Sequence, residues 1–210
     1  MDPEQEQVKL TLEPYQLILS QLPVLAIDTW NKNPDKNRLN HPRIRANIVW
    51  GYIISFAREF LVDNPNISFI PHHSTVSLKV AGCNHEVMIR YKKANKKNIS
   101  CNVKTYLSDS YHDHHQRQLF LFPGMSDPDR IEIVYILNEL ATSVEDIRVV
   151  ARNKKNVIWS YSIKQTGDVV NISTKQPNFN KENNEISYEE KAVKLNKDKF
   201  PNKIQTEEGG

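Results

Sequence analysis

EVMIRYKKANKKNISCNVKT, residues 86–105, decides how the chain is read: a run with period two, a lysine-rich turn, and a second short extended run. Successive side chains of a strand point to opposite faces. Val87, Ile89 and Tyr91 therefore share one face, while Met88, Arg90 and Lys92 share the other. One side asks for a core and the other is cationic. Lys93, Lys96, Lys97 and Lys104 add to the charge, and only Glu86 opposes it.

Upstream, Val76, Leu78 and Val80 alternate with Thr75, Ser77 and Lys79, and AGCN with its Gly82 supplies a turn before Glu86. The two runs read as a hairpin. Its inward face carries Val76, Leu78, Val80, Val87, Ile89 and Tyr91, so Lys79, Arg90 and Lys92 project together from the opposite face. Downstream, three more strands are expected near 130–137, 147–152 and 157–163, with RNKKN at 152–156 as a tight connection. Residues 106–129 read as irregular, with Leu119–Phe122 tucked against the core and Pro123-Gly124 ending it.

The first third is helical in pattern. Residues 1–13 are polar and are expected to fray. Pro14 suits a first helical turn, and Tyr15, Ile18, Leu19 and Leu22 follow at helical spacing. Pro23 is expected to kink or restart the helix, because proline removes a donor and clashes with the preceding turn. Val24–Trp30 is then a second piece and residues 31–40 a loop. Asn40 is the cap of the main helix, with Pro42 in its first turn. Ala46, Val49, Trp50, Ile53, Phe56, Ala57 and Phe60 form its apolar stripe, with Arg43 and Arg45 flanking the start.

The fold class that uses all these patterns is α+β: N-terminal helices on one face of a mainly antiparallel sheet of about five strands, built from one hairpin and a three-stranded meander. The organisation is an N-terminal helical segment and loop at 1–40, an α+β core domain at 41–168, and a polar tail at 169–210. The tail offers too little apolar area to offset the entropy of ordering it, and residues 186–195 form at most a transient helix.

At 210 residues, 39% hydrophobic and net charge +3, the chain is long enough for one sizeable core and only mildly basic. Any polyanion partner must be argued from local clustering, not from a pI near 8.7. The sequence has no apolar run long enough to span a bilayer and no signal-like start, and carries two cysteines, Cys83 and Cys101. A cytoplasmic, reduced protein with no membrane partner is expected, so the N-x-S sequences at Asn66, Asn98 and Asn171 carry no glycosylation meaning.

Candidate chemistry is thin. The run His112, Asp113, His114 and His115, with His72, His73 and His85 elsewhere, offers metal-ligand types, but adjacent residues rarely converge on one ion and no HExxH helix or cysteine pair supports a site. It reads as a polar loop, and neither metal nor cofactor is expected. Glu86 near Arg90 and Lys92 faintly resembles the acid and lysine arrangement of metal-dependent nucleases, yet residues 75–85 contain no second carboxylate. Cys83 sits in a turn and Cys101 in a basic segment; both read as incidental thiols. Gly209-Gly210 at the end is weak evidence for a conjugated tail. Tyr106 and Tyr111 offer stacking surfaces near the basic strand, without an RNP-like signature.

The middle of the chain resembles a family of uncharacterised bacterial and prophage proteins, often encoded beside an Xre-type regulator and an ImmA/IrrE metallopeptidase. The resemblance rests on Arg43, Arg45 and Ala46 opening the helix, on Ile89-Arg90-Tyr91-Lys92-Lys93 as a basic strand, and on Asn102, Lys104 and Thr105. Phe122-Pro123-Gly124, Tyr135 with Leu137, and Trp159 extend it over about residues 42–163. The HDHH run and the long tail depart from the pattern. What it implies is a toxin–antitoxin-like or prophage-control module, with no catalytic activity to carry over.

The functional expectation is accordingly a non-enzymatic effector or regulatory component that binds a macromolecule, with nucleic acid as a candidate, through Lys79, Arg90, Lys92, Lys93, Lys96, Lys97, Arg43 and Arg45. No catalytic residue is assigned. The alternatives are a metal-dependent nuclease and a protein-interaction partner of an Xre regulator or ImmA/IrrE-type peptidase.

Overall fold

A computed structural model describes residues 2–39, 41–72, 75–82, 85–100, 106–113, 128–154 and 156–164, all within the unit Met1–Val169. The tail at 169–210 and the transient helix expected at 186–195, the Leu119–Phe122 run, Pro123-Gly124, both cysteines, Asn40, His73, His114, His115 and the Asn102–Thr105 step lie outside the described residues.

The order of elements is α1 (Gln5–Leu12), a short 3-10 turn at Glu13–Tyr15, α2 (Gln16–Lys32), α3 (Pro42–Leu61), β1 (Ile67–His72), β2 (Thr75–Ala81), β3 (Glu86–Lys93), α4 (Tyr106–Tyr111), β4 (Asp129–Leu137), β5 (Val144–Asn153) and β6 (Asn156–Ser162). The strands form one six-stranded sheet in sequence order. Every neighbouring pair is antiparallel except β3 and β4, which run parallel. The fold class is α+β, as the sequence patterns predict.

The helix side of the sheet is apolar because alternation makes it so. Leu78 and Val80 of β2, Val87, Ile89 and Tyr91 of β3, Ile131 and Ile133 of β4, and Ile147 and Val149 of β5 are buried against Leu19, Leu22, Ile27, Val49, Ile53, Ala57 and Leu61 of the helices. Of the expected hairpin face, only Val76 is less than fully buried. On α3 the stripe is centred on Val49, Ile53, Ala57 and Leu61, with Trp50, Phe56 and Phe60 half-buried along its flank. Ala46 is exposed.

Three expectations need correction. Residues 5–12 are helical: Val8 and Leu12, four apart, are buried where α1 packs on β2 and β3. Two core anchors are too few to read as a period, but they suffice once a sheet lies beneath them. The approach is close enough that a Cβ at Gly82 would sit 3.1 Å from the Thr11 hydroxyl. Pro23 does not break α2, which runs unbroken through it. The carbonyl that loses its helical donor there is that of Leu19, and the Tyr91 hydroxyl donates to it at 3.0 Å. Finally, β1 makes a sixth strand. Its Pro71 argues against an interior strand, and β1 is at an edge, where a missing donor costs least.

Parallel strands need a long crossover. The chain between β3 and β4 joins them, and α4 lies in that connection, so residues 106–111 of the stretch expected to be irregular are helical. The Tyr111 hydroxyl at its end is 2.9 Å from the carbonyls of both Met88 and Ile131, one on each parallel strand. A smaller apolar cluster of Ala94, Val134, Ile136 and Val150 lies on this second face. Among the described residues no helix is long and apolar enough to cross a membrane.

Candidate functional site

The face opposite the helices is charged, because the alternate positions of β2 to β5 carry Lys79, Arg90, Lys92, Arg130, Glu132 and Arg152. Register brings Arg90 beside Glu132 and Met88 beside Arg130 across the parallel pair. Glu132 is at the centre, 1% exposed. Its two oxygens lie 3.2 Å from His112 Nε2 and 3.2 Å from Arg152 Nη1. Burial pushes its carboxyl up, but the hydrogen bonds and charges of His112 and Arg152 more than offset this and hold it below the ordinary range.

The surrounding cations are engaged internally. Arg130, also 1% exposed, donates to the carbonyls of Ser110 at 3.0 Å and Asp113 at 3.2 Å, tying down the end of α4. Arg152 donates further to the Ser100 hydroxyl at 2.7 Å and the Lys154 carbonyl at 3.1 Å. Lys154 Nζ is 3.4 Å from Asp113. Arg90 donates to the Ser77 hydroxyl at 3.1 Å and lies over the Tyr111 ring, 3.7 Å from its centroid. Desolvation lowers its pKa, which the neighbouring Tyr111 and Glu132 oppose. Lys79, its side chain 14% exposed, pairs with Glu86 at 2.7 Å.

The sequence reading of Lys79, Arg90 and Lys92 as one exposed basic face is therefore corrected. They share a face, but the end of α4 packs on it, with Tyr111 against Arg90 and between the carbonyls of Met88 and Ile131, and Lys92 lies half-buried at the strand end. Arg90 and Lys79 hold the fold together.

Four lysines are left over. Lys92 is half-buried at the end of β3, its pKa lowered by burial with Glu132 opposing, and Lys93, Lys96 and Lys97 are exposed. None of the four has an ion pair among the described residues. The turn that carries Lys96 and Lys97 is a built one: Asn95 Oδ1 accepts from the amides of Lys97 at 2.9 Å and Ile99 at 3.1 Å. Asn98 takes a positive φ of 60°, which asparagine tolerates, and its amide nitrogen is 3.3 Å from the Ser160 hydroxyl on β6.

The remaining predicted site residues lie elsewhere. Alternation turns Lys93 to the helix side, where it lines a cleft with Arg45. Arg45 donates to the carbonyl of Ala141 in the β4–β5 turn, and Arg43 is exposed in the first turn of α3. The predicted set thus divides between two faces of the sheet.

Of the histidines, His112 is a buried partner of Glu132, and His85 Nε2 is 3.2 Å from Asp129 Oδ2. Among the described residues no group of three or more metal-ligating side chains gathers. Sequence reasoning missed Arg130, Glu132 and Arg152. The signal available was Arg130-Ile131-Glu132, two charges at period two inside an otherwise apolar strand. Compared with protein-family models, curated proteins and solved structures, the chain matches none.

Proposed function

We propose that the chain is a non-enzymatic binding component, of the kind its resemblance implies for a bacterial mobile-element or toxin–antitoxin-like module, and that it grips the phosphate backbone of a nucleic acid through Lys92, Lys93, Lys96 and Lys97. One observation supports this above others. The charges around them, Lys79, Arg90, Arg130, Arg148, Arg152 and Lys154, all have internal partners, whereas these four lysines have no ion pair among the described residues. Cations spent on the fold cannot be spent on a ligand; unspent ones, at the end of β3 and on the turn that follows it, can displace counterions from a phosphate chain. Contacts of this sort position a backbone and carry little base specificity. The test is binding of generic DNA and RNA across a salt series.

A protein partner is the second reading, such as an Xre-type regulator or ImmA/IrrE-type peptidase. It is favoured by Leu140, 81% exposed in the β4–β5 turn, and Ile44, 42% exposed on α3, each next in sequence to one end of the Arg45–Ala141 bond. Exposed apolar side chains rimmed by arginines suit a protein contact better than a phosphate chain. Co-purification with either protein tests it. The nuclease alternative has less support, since Glu86 is paired with Lys79 and Glu132 with His112 and Arg152.

A further inference from the structure

On the helix side, where α2, the start of α3 and the ends of β3 and β4 meet, is a cleft of about 180 Å³. Its lining divides by chemistry. Ile27, Ala46, Val49 and Leu137 make an apolar floor, with Tyr135 beside them, and Arg45 and Lys93 supply two positive charges. Among the described residues no carboxylate lines it.

We infer that this cleft is a binding site for an apolar carboxylate, a small anion with one ring or one branched alkyl chain. Three properties lead there. An apolar cavity of about 150 Å³ takes up benzene, so this volume suits a single such group. Arg45 and Lys93 come from different elements, α3 and β3, and among the described residues no acid pairs with either charge. The bond from Arg45 to the Ala141 carbonyl uses one donor of five and fixes the guanidinium, leaving further N–H groups for a charge-assisted contact. An uncharged apolar ligand would leave both cations unanswered, and a hydrated phosphate would waste the floor.

The carboxylate has two natural sources, a free organic acid or the C-terminus of a peptide ending in a bulky apolar residue. The site goes beyond the nucleic-acid reading and shares only Lys93 with it: Arg45→Gln should weaken the cleft's ligand while leaving phosphate contacts at Lys92, Lys96 and Lys97 unchanged.

The experiment is titration of the full chain, labelled with ¹⁵N, by phenylacetate and by phenylacetamide, its neutral counterpart. Phenylacetate is expected to shift the amides of Ala46, Val49 and Leu137, with the amide binding at least about tenfold more weakly. Arg45→Gln and, separately, Lys93→Gln should each weaken phenylacetate by a similar factor. Lys93 is an exposed side chain, so that variant stays folded even if the Arg45 variant does not. A short peptide ending in phenylalanine, free or amidated, separates the sources: tighter binding of the free form than of phenylacetate assigns the site to a chain terminus, weaker binding to a free acid. No shift up to about 10 mM, equal binding of acid and amide, or an unaltered titration in Lys93→Gln would overturn the inference.

Discussion

The Tyr91 hydroxyl on β3 donates to the carbonyl of Leu19 on α2, across 72 residues of sequence, and so replaces the bond that Pro23 cannot make. Removing it leaves a buried acceptor unsatisfied. Tyr91→Phe should therefore cost about 1–3 kcal/mol in chemical denaturation. The cost should shrink when Pro23→Ala restores the helical donor, and a double-mutant cycle measures that coupling. Equal costs in both backgrounds would show that Leu19 is not the group Tyr91 serves.

That bond also marks where sequence reading stops. The alternation of Val87, Ile89 and Tyr91 predicted the β3 face correctly, and the stripe of Val49, Ile53 and Ala57 predicted α3, because each pattern is local and carried by several apolar residues. The continuity of α2 was not legible: it depends on a hydroxyl supplied from a distant strand. Nor was α1, with two anchors, or β1, interrupted by Pro71. Pairing β3 with β4 in parallel instead of antiparallel sense is a matter of topology, and it decides the fate of the basic face. Once a crossover must run over that face, Arg90 becomes a structural residue. Lys93, Lys96 and Lys97 are close in sequence and exposed, but which cations are spent internally depends on partners that only the fold brings near.

Glu132 gives the fold an acid-sensitive point. Its folded pKa lies below its unfolded value of about 4.3, so its stabilising contribution is complete above that value and is lost as pH falls through the folded pKa. Glu132→Gln leaves Arg152 and His112 without their buried anion and should cost about 3–5 kcal/mol at neutral pH. The gap between wild type and variant should narrow below pH of about 4, measured by denaturant unfolding across pH. A gap that stays constant well below pH of about 4 would separate Glu132 from the acid response.

Arg90 and Lys97 should behave oppositely. Arg90→Gln loses the contact with the Tyr111 ring and weakens the tie to Ser77, which should lower stability by about 1–3 kcal/mol. The exposed Lys97→Gln should stay within about 0.5 kcal/mol of wild type while weakening nucleic-acid binding. Thermal melts with matched binding assays check both; an Arg90 variant as stable as wild type would return that residue to the list of free cations.

Trp159 should contribute less than a central core aromatic. It is half-buried on β6, stacked with Tyr161, and its ring N–H donates to the Pro3 carbonyl at 2.8 Å. Trp159→Ala should cost about 2 kcal/mol, short of the 3–5 kcal/mol of fully buried aromatics. Hydrogen exchange should show the start of α1 loosening first, since its link to the sheet edge is gone.

The central claim is that the four lysines with no ion pair among the described residues meet a phosphate backbone. Its most direct test is the salt dependence of binding to a labelled generic single-stranded RNA, comparing wild type with the triple variant Lys93→Gln, Lys96→Gln, Lys97→Gln. Each phosphate neutralised contributes about 0.7 log units of affinity per log unit of salt, so the triple variant should lose roughly 2 from the slope as well as affinity. Arg38→Gln, an exposed charge in the α2–α3 loop paired with Asp35, should leave the slope unchanged. No binding at low salt, or a slope the triple variant does not alter, would contradict the claim.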